Sequence, residues 1–234
     1  KRQHGYSRHL YEFKDEYANM PVDVQKDEEK GLYYVQKEKK RLYFRKSTPA
    51  KKIQKYYRAL SMEQDRRSPH HYFNSVKEVT GKVFVDVGCA EGYSSLEIIE
   101  EAKHVYLFEQ DEQWLEAIRA TFEPWQDKVT IVQKYVSDHN SSREQTLDDF
   151  FNNQTNEHLF LKMDIEGAER HALAGCNNLF QNCQKLDFAI CTYHLRDDEE
   201  VISAFLDKHN CTYINQKGFF RHKIRSVVMR GSKK

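Results

Sequence analysis

Val83-Phe84-Val85-Asp86-Val87-Gly88-Cys89-Ala90-Glu91-Gly92-Tyr93-Ser94 decides how this chain is read. A run of β-branched and aromatic residues closes on Asp-x-Gly-x-x-x-Gly, and helical spacing starts at once with Ser95, Leu96, Ile98 and Ile99. That order predicts a buried strand, a tight glycine turn and a helix N-terminus. Glycine at 88 and 92 lets the backbone approach a ligand where a Cβ would stand in the way. The dinucleotide fingerprint Gly-x-Gly-x-x-Gly is not met, because Gly92 comes four residues after Gly88 and Asp86 two before it.

A second apolar run, Val105-Tyr106-Leu107-Phe108, ends in Glu109 and Gln110, with Glu109 placed 21 residues beyond Gly88. A carboxylate at a strand tip is placed to accept from ribose hydroxyls. The competing reading is an ordinary βαβ unit with a solvated glutamate. The glycine turn resembles motif I of the S-adenosylmethionine (SAM) methyltransferases, in which the turn passes under the methionine and ribose parts of the cofactor. On that resemblance Asp86, Gly88, Glu91, Gly92, Glu109 and Gln110 are expected around SAM.

Outward from this unit, 234 residues suffice for one large α/β domain with an extension. Hydrophobic residues make up 39% and no apolar run approaches membrane-spanning length. The five cysteines are odd in number and form no Cys-x-x-Cys pair, so reduced thiols and a cytoplasmic location are expected. The chain opens on Lys1 rather than Met, leaving room for a native segment before it. Residues 1–60 carry 16 Lys+Arg against 8 Asp+Glu (+8), and the remainder 21 against 28 (−7). A basic extension beside an acidic body favours an anionic partner, or is simply a solvated basic face.

Residues 1–65 read as that extension. Gly31–Val35 and Arg41–Arg45 suggest a hairpin, and Thr48-Pro49 a helix start, with Ile53, Tyr56, Tyr57 and Leu60 next at helical spacing. Arg66-Arg67-Ser68-Pro69-His70-His71-Tyr72-Phe73 is a dense cluster ahead of the first strand, and its histidines are expected to line a pocket. Over 66–234, strands fit near 83–87, 105–109, 129–132, 159–164, 187–192, 211–215 and 225–230. Helices fit near 93–102, 112–122, 146–151, 168–174 and 197–208. Such alternation predicts an α/β, doubly wound, mostly parallel seven-stranded sheet of Rossmann-like type, its last strand antiparallel at the end.

Leu159-Phe160-Leu161-Lys162-Met163-Asp164-Ile165-Glu166-Gly167-Ala168-Glu169 ends the fourth strand in charge. If the strand continues, Lys162, Asp164 and Glu166 share one face, and the carboxylates neutralise the lysine. A structural ion-pair network is the plainer alternative. Ala189–His194 ends the fifth strand and brings His194 to the same rim.

The stretch Lys162–Glu169, with Leu173-Ala174-Gly175 after it, resembles the FkbM-type SAM-dependent methyltransferases. The likeness runs over roughly residues 66–230 and takes in Ser68-Pro69-His70-His71-Tyr72, Val136-Ser137-Asp138 and Thr146–Phe150. It implies methylation of a hydroxyl, often on a sugar or natural-product scaffold, and places Ser137 and Asp138 beside the adenine. A small-molecule or glycan acceptor, with an anionic group held by the basic extension, is therefore expected.

For the chemistry, His194 is the expected base, Asp164 orients it or holds the acceptor hydroxyl, and Lys162 steadies negative charge. The rival assignment makes Asp164 or Glu166 the base. Catechol-type enzymes hold a divalent metal at this rim, but Tyr193-His194 stands where an acidic pair would be wanted, so metal independence is expected. Two other function classes compete. A nucleic-acid methyltransferase would suit the basic lead and the acid-free tail from Lys217, but Asp164-Ile165-Glu166-Gly167 replaces the Asn/Asp-Pro-Pro-Tyr type of motif. A non-catalytic SAM-fold binding module would not need the charged rim.

Overall fold

The computed structural model describes residues 11–152, 157–220 and 223–233. Residues 1–10 of the extension and part of the basic tail lie outside them. The extension folds as α1 (Lys14–Ala18), β1 (Val24–Asp27), β2 (Leu32–Lys37), β3 (Lys40–Tyr43) and α2 (Ala50–Glu63). The hairpin is thus β2–β3, and β1 adds an antiparallel third strand to it. No apolar pattern announces β1, since Val24-Gln25-Lys26-Asp27 has a single apolar residue and lies half-exposed to exposed.

The body runs β4 (Val83–Val87), α3 (Tyr93–Ile98), β5 (His104–Phe108), α4 (Glu112–Phe122), β6 (Val129–Val132), β7 (Tyr135–Val136) and β8 (Glu144–Gln145). It continues with α5 (Leu147–Phe150), β9 (His158–Met163), α6 (Glu169–Ala174), α7 (Asn177–Asn182), β10 (Lys185–Cys191) and α8 (Asp198–Lys208). It closes with the long strands β11 (Thr212–Phe220) and β12 (Lys223–Lys233). β4 is buried along its whole length, as expected of a central parallel strand covered on both faces. Caps mark the helix starts: Asp111 accepts from Gln113 N at 2.9 Å, and Thr146 from Asp149 N at 3.2 Å.

The seven-stranded sheet has the order β11-β12-β10-β9-β4-β5-β6. Strands β10, β9, β4, β5 and β6 pair in parallel, and β12 is antiparallel to both neighbours. The expected antiparallel last strand therefore lies between β10 and β11 rather than at the sheet's end. The hairpin geometry explains this: β11 first runs parallel to the body at the edge, and β12 folds back into the gap.

Chain order reverses between β4 and β9, the place where open α/β sheets leave a crevice for ligands. Asp164 N donates to Val87 O at 3.1 Å, so the segments leaving these two strands start side by side.

The extension and the body share one apolar core. Leu32, Leu42, Phe44 and Ile53 cluster with Phe84, Leu96, Ile118 and Phe122, so no packing gap separates the extension from the sheet and its helices. Part of the charge asymmetry is spent at this seam. Lys37 pairs with Glu97, Arg45 with Asp111 at 3.1 Å, and Lys30 with Glu123 at 2.7 Å. No helix among the described residues is long and apolar enough to cross a membrane.

Candidate functional site

A cavity of about 1170 Å³ opens over the β4–β9 crevice. A typical single-ligand pocket is roughly 300–1,000 Å³, so there is room for two small molecules at once. Its lining includes every residue expected around a cofactor, namely Asp86, Gly88, Glu91, Glu109, Gln110, Ser137 and Asp138, except Gly92. Lys162, Asp164, Glu166 and His194 line it as well.

The glycine turn is built from left-handed backbone: Gly88 at φ +78°, Ala90 at +47° and Gly92 at +81°. The protein's own packing also requires the glycines. A Cβ on Gly88 would stand 2.1 Å from the Asp164 carbonyl oxygen, and one on Gly92 would stand 2.6 Å from the Phe122 ring. Both glycines therefore make room for neighbouring protein atoms, and bulk at 88 strikes the backbone that carries Asp164. Glu109 braces the turn, accepting from Ala90 N at 3.0 Å and from Asp111 N at 2.8 Å.

Lys162 lies deeper than a rim residue. Its Nζ is 2.8 Å from Asp86 Oδ1 and donates to Gly88 O at 2.7 Å, while Ser95 donates to Asp86 Oδ2 at 2.6 Å. Burial works against the Lys162 charge, and the carboxylates of Asp86 and, after it, Asp164 together more than offset it, so its pKa lies above the ordinary range. Asp86, not the expected Asp164 and Glu166 pair, is the close counter-ion. The lysine ties the first strand's turn to the fourth strand.

The expected alternation stops at Met163, where β9 ends. Glu166 takes φ +56° and its side chain is 92% exposed. Asp164 stays at the crevice and accepts from the Tyr72 hydroxyl at 2.6 Å. His194 faces it, with Nε2 3.5 Å from Asp164 Oδ1 and 3.7 Å from Glu166 Oε2. On the other side of the ring, Nδ1 is 2.9 Å from Oε1 of Glu169, whose side chain is fully buried. Burial alone would lower the His194 pKa, but Glu169 foremost, with Asp164 and Glu166, raises it above its usual value.

Three contributors escape a reading of the sequence alone. Glu169 is visible in the charged stretch, but its place beside His194, 25 positions on, depends on the fold. Tyr72, rather than the histidines beside it, reaches the cavity; His71 bonds Ser68 O, Asn74 and Arg230 instead. Tyr56, on α2, donates to Glu91 Oε2 at 2.9 Å, so the extension forms a wall of the site. Asp138 is engaged by His139 at 2.7 Å and His171 at 3.2 Å, which hold its carboxyl below the usual range.

Burial pushes Glu91 up to about 7 from 4.5. Between those values the folded state holds a proton that the unfolded state has released, so stability falls as pH rises through this window. Glu91→Gln is expected to flatten that fall. Melting temperatures at pH 5 and pH 8 should differ less in the variant than in the parent; an equal difference removes Glu91 as the cause.

The comparisons agree with this fold. A family model described as the methyltransferase FkbM domain matches residues 43–214, most of the chain and part of the extension. The crystal structure of methyltransferase FkbM from Methylobacillus flagellatus KT is similar, with a TM-score of 0.53 and 16% identity. The likeness covers 79% of this chain but only 55% of that one, so the chain spans little more than half of that relative. Magnesium protoporphyrin IX methyltransferase (ChlM) from Synechocystis PCC 6803, solved with bound SAM, has a TM-score of 0.50 and 12% identity. It is covered over 86% of its length by 80% of this chain. At these identities the two structures speak for the fold alone. No curated protein sequence matches the chain. The extent of the family match and the strand order together place this chain in the FkbM methyltransferase family.

Proposed function

We propose that the protein transfers a methyl group from SAM to a hydroxyl of a saccharide or a comparably polar small molecule. The observation that carries this is the presence of two different groups of residues in one cavity. The turn at Gly88, Glu109 and Asp138 line it, and so do Asp164 and His194; we assign the first group to SAM and the second to the acceptor.

The first group suits SAM. Glu109 is at a strand tip with lone pairs to spare for ribose hydroxyls. When bound there, SAM supplies a sulfonium methyl for in-line transfer to oxygen.

The second group handles the acceptor. A hydroxyl is a poor nucleophile at neutral pH and must be aligned and relieved of its proton. Asp164 accepts a hydrogen bond from the hydroxyl, with its other oxygen fixed by Tyr72. His194, or the carboxylates that flank it, takes the proton. The abundance of carboxylates in the lining favours an uncharged or cationic acceptor over the anionic one suggested by charge alone.

The test is to supply SAM labelled in its methyl carbon together with a panel of sugar nucleotides, glycans and hydroxylated small molecules, and to locate the label by mass spectrometry. Label on a hydroxyl oxygen is expected. Methylation of RNA or DNA with none of the small acceptors would overturn the assignment.

A further inference from the structure

The buried side of the rim carries a charge problem that the methyl-transfer reading leaves unsolved. Glu169 is wholly buried, and its Oε2 has no hydrogen-bond partner among the described residues. Neither ring nitrogen of His194 makes a directed hydrogen bond, although Glu169 Oε1 is only 2.9 Å from Nδ1. Oε1 also accepts from Ile165 N at 2.9 Å, and its spacing from Nδ1 suits two neighbouring ligands of one cation as well as an ion pair. Asp164 completes the group, and one donor atom from each of the three residues lies within 4.8 Å of the others. Lys162 answers the charge only in part, because its ammonium is held closest by Asp86, at 2.8 Å.

We propose that Asp164, Glu169 and His194 bind a divalent first-row transition-metal ion, Mn²⁺ being the representative case. Two carboxylates and one imidazole are a donor set for such an ion, whereas Ca²⁺ takes six to eight oxygens. A charge of +2 cancels the two carboxylates and satisfies the orphaned Glu169 oxygen, which burial otherwise leaves costly. Asp164 and His194 line the cavity, so the ion's remaining positions face the acceptor, while Glu169 holds it from behind.

The binding stands on this geometry alone; its use rests on the proposed function. An acceptor hydroxyl held by the ion is made more acidic. With His194 engaged as a ligand, the proton passes to Glu166, whose exposed carboxylate lies 3.7 Å from the imidazole. The oxygen–hydrogen bond breaks, the oxygen–carbon bond forms, and the carbon–sulfur bond breaks to leave S-adenosylhomocysteine.

The test is titration of metal-stripped, full-length protein with Mn²⁺, read by the electron-paramagnetic signal of the free ion and by calorimetry. One Mn²⁺ per chain is expected. Glu169→Gln and Asp164→Asn should each weaken it beyond the roughly 10–100-fold that loss of an outer-shell partner costs. SAM affinity should stay within a few-fold in both. Asp164 is partly exposed, so its variant serves if the Glu169 change disturbs folding. No Mn²⁺ bound, or equal binding by parent and variants, overturns the site; the positive charge between the carboxylates is then a proton on His194. Methyl transfer by a protein that binds no ion would leave the proposed function standing and remove only the metal. Mn²⁺ binding without transfer to any hydroxyl would do the reverse.

Discussion

His194→Gln and Asp164→Asn are each expected to lower turnover by roughly 10²–10⁴-fold, the range that a positioned proton-transfer group supplies. SAM affinity should hardly change, because both side chains are in the group assigned to the acceptor. His194 serves either as the base or as a ligand, and its loss removes the group facing Asp164 at 3.5 Å in both cases. Turnover under saturating SAM and acceptor checks this. If His194→Gln keeps turnover within a few-fold, the imidazole is structural and the carboxylates carry the chemistry. Addition of Mn²⁺ separates the two roles: it restores nothing to a missing base, while a weakened ligand set recovers in part at high concentration.

Lys162→Met is expected to destabilise the fold by about 3–5 kcal/mol, since it leaves Asp86 buried without its close counter-ion. For a chain of this size that corresponds to a drop in melting temperature of roughly 6–20 °C. Both partners are at most 5% exposed, so solvent does little to screen the loss. Gly88 O also loses its 2.7 Å donor, and the glycine turn is expected to loosen with it. The pairing is checked by a double-variant cycle. Lys162→Met combined with Asp86→Leu should recover part of the stability lost in Lys162→Met alone. A strictly additive loss would mean that the two charges do not interact across the strands.

The sheet is the legible part of the chain. Strands β4 and β6 and helix α4 fall at the predicted boundaries, because buried strands read as apolar runs and the helix shows its face at 3.6-residue spacing. The N-terminal strand β1 is hidden, since its pairing with β2 depends on main-chain bonds that leave no apolar pattern. The position of β12 is hidden for a related reason: sequence shows that a strand exists, not which neighbours it joins.

At the site, spacing alone gathers Gly88, Glu109, Asp164 and His194 correctly around one cavity. It goes astray where one backbone angle decides. The expectation that Glu166 shares a face with Asp164 assumes a strand continuing past Met163, and the left-handed turn at Glu166 ends that alternation. Lys162 looks like a rim cation because its partner Asp86 is 76 positions away along the chain. Tyr72 and Glu169 need the packing of the preceding loop and of α6 before either can be set beside Asp164.

The division of the cavity into a donor end and an acceptor end is the claim on which the rest depends, and calorimetric titration with SAM tests it most directly. The parent protein should bind one SAM per chain. Glu109→Gln should weaken binding by at least about tenfold, by removing the carboxylate that braces the turn at Ala90 and that we assign to the ribose. His194→Gln should bind SAM as the parent does. Absence of SAM binding by the parent, or loss of affinity in His194→Gln with Glu109→Gln unchanged, would contradict the account.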